Sequence, residues 1–232
     1  MTVENGYKGT QDPTSSTSEF NAYSFLIRQI LSQISTATLV QVKSVTNSGG
    51  VTPVGFVDVL PLVNQLDGYN NAVPHGLIHN VPYFRIQGGT NAVIIDPQVD
   101  DIGICVFADR DISSVKANKA QANPGSKRRF DMADGLYIGG VLNRTPTQYV
   151  MFSDSGITIH SPTKIVLDAP TVEVDAPSII LNGALQQGNG PNGGNATIGG
   201  TLTAGTDVKV GSISLKSHVH PDPQGGTTGT PQ

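Results

Sequence analysis

Between Gly156 and His220 the chain repeats short apolar pairs at nearly constant intervals, and this constrains the fold more than any other feature. The pairs are Ile157/Ile159, Ile165/Leu167, Val172/Val174 and Ile179/Leu181, stepping by eight, seven and seven residues. Alternate residues of a strand share a face, so each pair gives one apolar face between mostly polar neighbours. The connectors Ser161-Pro162, Ala169-Pro170 and Ala176-Pro177 stop each strand, because proline withholds the amide that a ladder needs. A short fixed period of this kind predicts a β-solenoid in which each rung stacks on its neighbours. After a Gly/Asn-rich interruption at residues 188–195 the pairs Val208/Val210, Ile213/Leu215 and His218/His220 step by five. The histidines thus occupy the slots that aliphatic side chains fill in the preceding rungs, and the shorter rung predicts a shaft that tapers.

A lone alternating strand encloses no core, and sixty-odd residues would make only a few coils of a single-chain β-helix. Three chains wound together complete every rung by symmetry, so the pattern favours an intertwined homotrimer. The expected fold class is all-β: an N-terminal helix, an OB-fold-like barrel, then a trimeric intertwined β-helix narrowing to a C-terminal tip. The expected segments are a tail and amphipathic helix over 1–37, the barrel over 38–116, a connector over 117–155, the shaft and tip over 156–220 and a polar tail over 221–232.

Upstream of the shaft, residues 1–18 are rich in Ser, Thr and Gly and read as disordered or ordered by a partner. Ser18 is a plausible N-cap for a helix carrying Phe20, Tyr23, Ile27, Ile30, Leu31 and Ile34 at three- and four-residue steps. That stripe either packs on the adjacent domain or docks on another protein. Five β-patterned segments follow, Leu39–Lys43, Val54–Leu60, Tyr83–Ile86, Ala92–Ile95 and Ile102–Ala108. Their size and their Gly, Pro and Asn turns suit a small barrel. In the connector, Gly135–Leu142 and Tyr149–Phe152 read as a hairpin.

Composition excludes several functions. A net charge of −4 and strands poor in basic and stacking residues argue against nucleic-acid binding. The single Lys127-Arg128-Arg129 cluster reads as a solvated turn. Cys105, in an apolar strand, reads as packing and not as a nucleophile. There is no signal-peptide pattern and no apolar run near the ~18 residues of a membrane helix, so the expected site of synthesis and folding is the cytoplasm. No Walker loop, Gly-x-Ser-x-Gly elbow or Cys-x-x-Cys pair is present, and an enzyme is not expected. Asp168, Glu173 and Asp175 face outward on their rungs and read as surface solubility, and not as a glycosidase pair.

Chemistry is expected at His218 and His220. Their spacing sets two imidazoles on one strand face about 7 Å apart. Two ligands make a weak site, but three chains supply six nitrogens, which suits an octahedral first-row transition metal better than zinc. His75 and His79 have helical spacing but lie among Pro74, Gly76 and Pro82, and His160 faces outward.

Gly89, Ala92-Val-Ile-Ile-Asp96 and Asp101-Ile-Gly-Ile-Cys-Val-Phe-Ala-Asp-Arg-Asp111, followed by a β-helical pattern and the terminal His218-Val219-His220-Pro221, resemble the central baseplate spike of contractile-tailed phages, the baseplate assembly protein V family. The likeness runs from about Thr38 onward. It implies a structural virion protein at the tail baseplate tip, assembled in the host cytoplasm. It further implies that the base docks on the tail hub and that the tip crosses the host outer membrane when the sheath contracts. It implies one iron ion per trimer on the three-fold axis, held by His218 and His220 of each chain. Calcium and chloride occur inside some shafts of the family, with no residues to assign them to here. The alternative expectation is a trimeric receptor-binding or glycan-degrading tail protein, which shares the β-helical shaft but needs wider rungs.

Overall fold

A computed structural model describes residues 14–47, 49–67, 71–188, 194–221 and 223–230. The readings made for residues 1–13, for most of the Gly/Asn-rich interruption and for Asp222, Pro231 and Gln232 lie outside these. The chain divides into two compact units, Met1–Ile165 and Val166–Gln232. Its elements in order are α1 (Glu19–Leu31), β1 (Ala37–Val45), β2 (Phe56–Pro61), β3 (Gln65–Leu66), β4 (Ala72–Val73), β5 (Ile78–Pro82), β6 (Ile86–Gly88), β7 (Asn91–Val93) and β8 (Ile102–Phe107). Then come α2 (Ser113–Asn118), a 3₁₀ turn (Met132–Asp134), β9 (Gly135–Gly140), β10 (Tyr149–Ser153), β11 (Gly156–His160), β12 (Lys209–Val210) and β13 (Ile213–Ser214). The protein is mostly β-sheet, with few helices.

The first unit is built on a curled half-barrel sheet in the order β5-β2-β1-β8-β9, with every pairing antiparallel. Strand alternation sends Val57 and Val59 of β2, Val40 and Val42 of β1, and Cys105 and Phe107 of β8 inward, where they meet Ile78, Val81, Tyr83 and Tyr137. Register shifts at Val42/Ser44, Val57/Val59 and Ile104/Cys105 tighten the twist, as bulges do. The curl returns the two edge strands to each other. Tyr83, just after β5, bridges Tyr137 of β9 in parallel, and the Phe84 N–H donates to the Tyr137 carbonyl at 2.7 Å. Gly103 is required at this crowded point, since a Cβ there would meet Gly139 O and the Tyr137 ring at 2.2 and 2.4 Å.

Two of these strands differ from the sequence expectation. β5 is hidden because its inward residues, Ile78 and Val81, are three apart instead of two. Asn80 takes up the extra residue at φ 56°, and its N–H is held by Asp58 Oδ1 at 3.0 Å. β9 supplies the fifth strand of the sheet and does not form a hairpin with Tyr149–Phe152. Its Gly135 and Tyr137 alternate inward against β8, while β10 pairs with β11 instead. Conversely, Tyr83–Ile86 and Ala92–Ile95 are not barrel strands: after the Tyr83 bridge the chain leaves the sheet, and Ile86 pairs with Val93 in the β6–β7 hairpin, turned at Gly89 with φ 57°. The reason is electrostatic as well as steric, because Arg85 is buried in an ion pair with Asp96, to which the Tyr83 hydroxyl also donates at 2.6 Å.

Helix α1 starts as its sequence predicts, with Ser18 Oγ accepting from the Asn21 N–H at 3.2 Å. Glu19 in its first turn and Arg28 in its last complement the helix dipole. Its polar side turns towards its own chain, where Asn21 donates to Thr14 O and Thr17 Oγ1. No residue of α1 is buried, and Phe20 is 78 % and Ile30 63 % exposed. The stripe therefore does not pack on the adjacent domain of its own chain. No helix among the described residues is long and apolar enough to cross a membrane.

Candidate metal-binding tip

The site lies in the second unit, on a hairpin and the chain that folds back after it. β12 and β13 pair Val210 with Ile213 and Lys209 with Ser214, turning through Gly211 at φ 61°. The ladder continues to a bond from the Leu215 N–H to Val208 O at 2.8 Å. Directly opposed residues share a face, so Val208, Val210, Ile213 and Leu215 form one apolar face, and all four are exposed. Asp207 ties the hairpin's ends. Its Oδ1 accepts from the Val208 N–H at 2.9 Å and the Lys216 N–H at 3.2 Å. The Ser214 hydroxyl, followed by these amides, holds its carboxyl below the usual range.

From this hairpin the chain delivers the two histidines. The His218 N–H donates to Ser214 O at 3.0 Å. Its ring Nδ1 lies 3.0 Å from Ser214 O and 3.2 Å from Leu215 O. Carbonyl oxygens only accept, so Nδ1 carries the hydrogen and the lone pair is left on Nε2. Carbonyl-bound imidazoles at metal sites are set in this way. The His220 ring sits edge-on to that of His218, with centroids 5.1 Å apart. His218 is half-buried and His220 exposed. The donor set therefore fits a first-row metal in type and tautomer but not in number. Among the described residues, no group of three His, Cys, Asp or Glu gathers in this chain, so a metal here would need ligands beyond these two imidazoles.

The sequence reading placed the tail after Pro221 apart from this site, and here it missed a contribution. Gly225, at φ 93°, helps to turn the chain back, so that Thr227 bridges Pro221 in antiparallel fashion and Thr228 bonds to His220. The Pro223-Gln224-Gly225-Gly226 run was the available signal, since such residues mark a reversal.

Other singled-out residues lie elsewhere. His79 pairs with Asp58 at 3.0 Å, and His160 stacks on Tyr149 with centroids 5.1 Å apart. Asp168, Glu173 and Asp175 are exposed. Cys105 is fully buried, and burial pushes its thiol up to about 11, which makes a poor nucleophile. Arg128 overturns the reading of its cluster as a solvated turn. It forks onto Asp134 and reaches Asp111, two carboxylates almost wholly removed from solvent.

In comparisons with known proteins, no family model and no curated protein matches the chain.

Proposed function

We propose that the chain is one third of a homotrimeric, membrane-piercing central spike of a contractile phage tail. In this reading the N-terminal part docks on the tail hub, the repeats wind into a tapering triple β-helix, and the tip crosses the host outer membrane.

The observation that carries the proposal is the distribution of burial. Among the described residues, the ten buried hydrophobic side chains all lie between Val40 and Tyr137, and none after Gly140 is buried. Yet the four apolar pairs from Ile157 to Leu181 are each 53–72 % exposed. Monomeric soluble proteins rarely expose apolar patches beyond a few hundred Å², and each such side chain contributes about 1.5–3 kcal/mol when fully buried. Two equivalent chains complete that face by symmetry. The base supports the same reading. Its strand order, with the Tyr83–Tyr137 bridge joining the outer strands, supports a five-stranded OB-type barrel, and the exposed α1 stripe offers a docking surface for the hub.

At the tip, His218 and His220 from three chains would hold one ion, iron by the family resemblance. When bound, the ion supplies a cross-link between three chain ends where aliphatic rungs have run out. The protein's own part is to present Nε2 of His218, through the Nδ1 contacts with Ser214 and Leu215, and to keep the second imidazole beside it.

Full-length protein tests this directly. Light scattering is expected to give three times 24.2 kDa, and elemental analysis one metal per trimer that falls to background in His218→Ala/His220→Ala. A folded monomer, a metal-free wild type, or metal retained by the double variant rejects the respective part. Cleavage of host lipopolysaccharide by the protein would move it to the glycan-degrading class.

A further inference from the structure

We propose that Thr228 is a positioning residue for the His218/His220 metal site, so that the polar tail is part of the tip; this rests on the metal reading above. The two histidines are anchored by different devices. His218 is fixed through its backbone N–H and its ring, both on the turn at Ser214 and Leu215. His220 is fixed from the other side, by one residue in both directions. The His220 N–H donates to Thr228 Oγ1 at 2.9 Å, and the Thr228 N–H donates to the His220 carbonyl at 2.9 Å.

The chemistry of the neighbours explains why a threonine suits the position. Pro221 has no N–H and cannot extend the ladder beyond His220 as a donor. The adjacent Pro221–Thr227 bridge brings the tail alongside. There the hydroxyl of Thr228 takes the His220 amide, a place that a backbone carbonyl fills in a regular ladder. The β-branch limits χ1, which keeps Oγ1 at that amide. A metal site tolerates ligand displacements of only a few tenths of an ångström. Slack in the His220 backbone therefore shows first as faster metal loss, while the apolar rungs behind it still hold the trimer.

The experiment compares wild type, Thr228→Val, Thr228→Ser and Thr227→Val as full-length trimers. Each is loaded with ferrous iron alone and challenged with a chromogenic chelator at fixed pH, and each metal-free form is melted and weighed by light scattering. Valine keeps the shape and removes the acceptor, serine keeps the acceptor, and Thr227 lies on the opposite face of the same segment. The expected result is iron release about tenfold faster or more in Thr228→Val, in line with the effect of losing an outer-shell partner. Thr228→Ser and Thr227→Val are expected to stay within about threefold of wild type, with metal-free melting unchanged in all four. Wild-type release from Thr228→Val overturns the proposal, as does equal acceleration by Thr227→Val, which would mean that the tail merely packs. Should Thr228→Val fail to assemble, Thr228→Ala replaces it under the same criteria. A wild type that takes up no iron defeats the metal reading itself and this role with it, whereas an iron-loaded wild type with an indifferent Thr228→Val defeats this role alone.

Discussion

Arg128 grips Asp134 through two parallel hydrogen bonds, Nε to Oδ2 at 2.7 Å and Nη2 to Oδ1 at 3.0 Å, and the same Nη2 lies 2.9 Å from Asp111 Oδ1. One cation thus serves two buried carboxylates. Asp134 also accepts the Ile112 N–H at 3.0 Å and Asp111 the Ser113 N–H at 2.8 Å. Together they tie the two ends of the long segment between β8 and β9 to each other.

Removing that cation leaves both acids without their counter-charge. Breaking a buried pair from one side costs about 3–5 kcal/mol, and because the Arg128 side chain is about one-third exposed we expect Arg128→Ala to cost about 2–3 kcal/mol. The adjacent Arg129→Ala is expected to stay within about 0.5 kcal/mol. Chemical denaturation of the two variants decides it, and equal losses would show that the cluster is a solvated turn after all.

The same cluster sets a pH dependence. The Ser113 hydroxyl and then its N–H, with the Ser126 hydroxyl, hold Asp111 down at about 2. Burial pushes Asp134 up, but the Arg128 fork and the Ile112 N–H outweigh it and leave it lowered. A depressed folded pKa means stability that is complete above the unfolded value near 4 and drains away as pH falls towards 2. We expect denaturation midpoints to drop over that window and to drop less steeply in Asp111→Asn. A flat profile from pH 4 to 2 would contradict the assignment.

On the β12–β13 hairpin, Ile213 and Leu215 share the exposed apolar face with Val208 and Val210. Placing Asp at either position leaves the isolated hairpin little changed but puts a charge wherever that face is covered. On the proposed trimer, Ile213→Asp is therefore expected to reduce trimer recovery sharply in light scattering while sparing the spectroscopic signal of the first unit. Wild-type assembly would place Ile213 in solvent and the five-residue register in error.

The helix makes an opposite case. Since Ile27 and Ile30 touch no core of their own chain, Ile27→Asp/Ile30→Asp is expected to change unfolding free energy by no more than about 0.5 kcal/mol per site. A loss of several kcal/mol would show that the stripe packs on the first unit in solution.

What could be read from sequence followed from how regular each signal was. α1, β1, β2 and β8 are legible because cap and alternation agree locally. β5 is not, because the Asn80 bulge breaks the alternation that marks a strand. β9 is not, because its glycine at position 135 occupies an inward slot beside Cys105 Sγ, where pattern reading looks for a large side chain. Tyr83-Phe84-Arg85-Ile86 misleads in the other direction, since its alternation buries a charge whose partner, Asp96, lies eleven residues away. At the tip the histidines stand out by spacing, while Thr228 matters through a hydroxyl at a backbone amide, which no periodicity encodes.

The confinement of buried apolar residues to the stretch from Val40 to Tyr137 also bears on the order of events during folding. The half-barrel sheet closes on contacts within one chain, so its formation is a first-order process that runs at the same rate at any concentration. None of the described residues after His160 is buried, so in the proposed trimer the burial of the repeats depends on collision between chains. Their ordering rate therefore rises with protein concentration. On that proposal, until those collisions occur the folded sheet is joined in sequence to an apolar segment that is open to wrong partners, and the residues around His218 and His220 are the last to find their places.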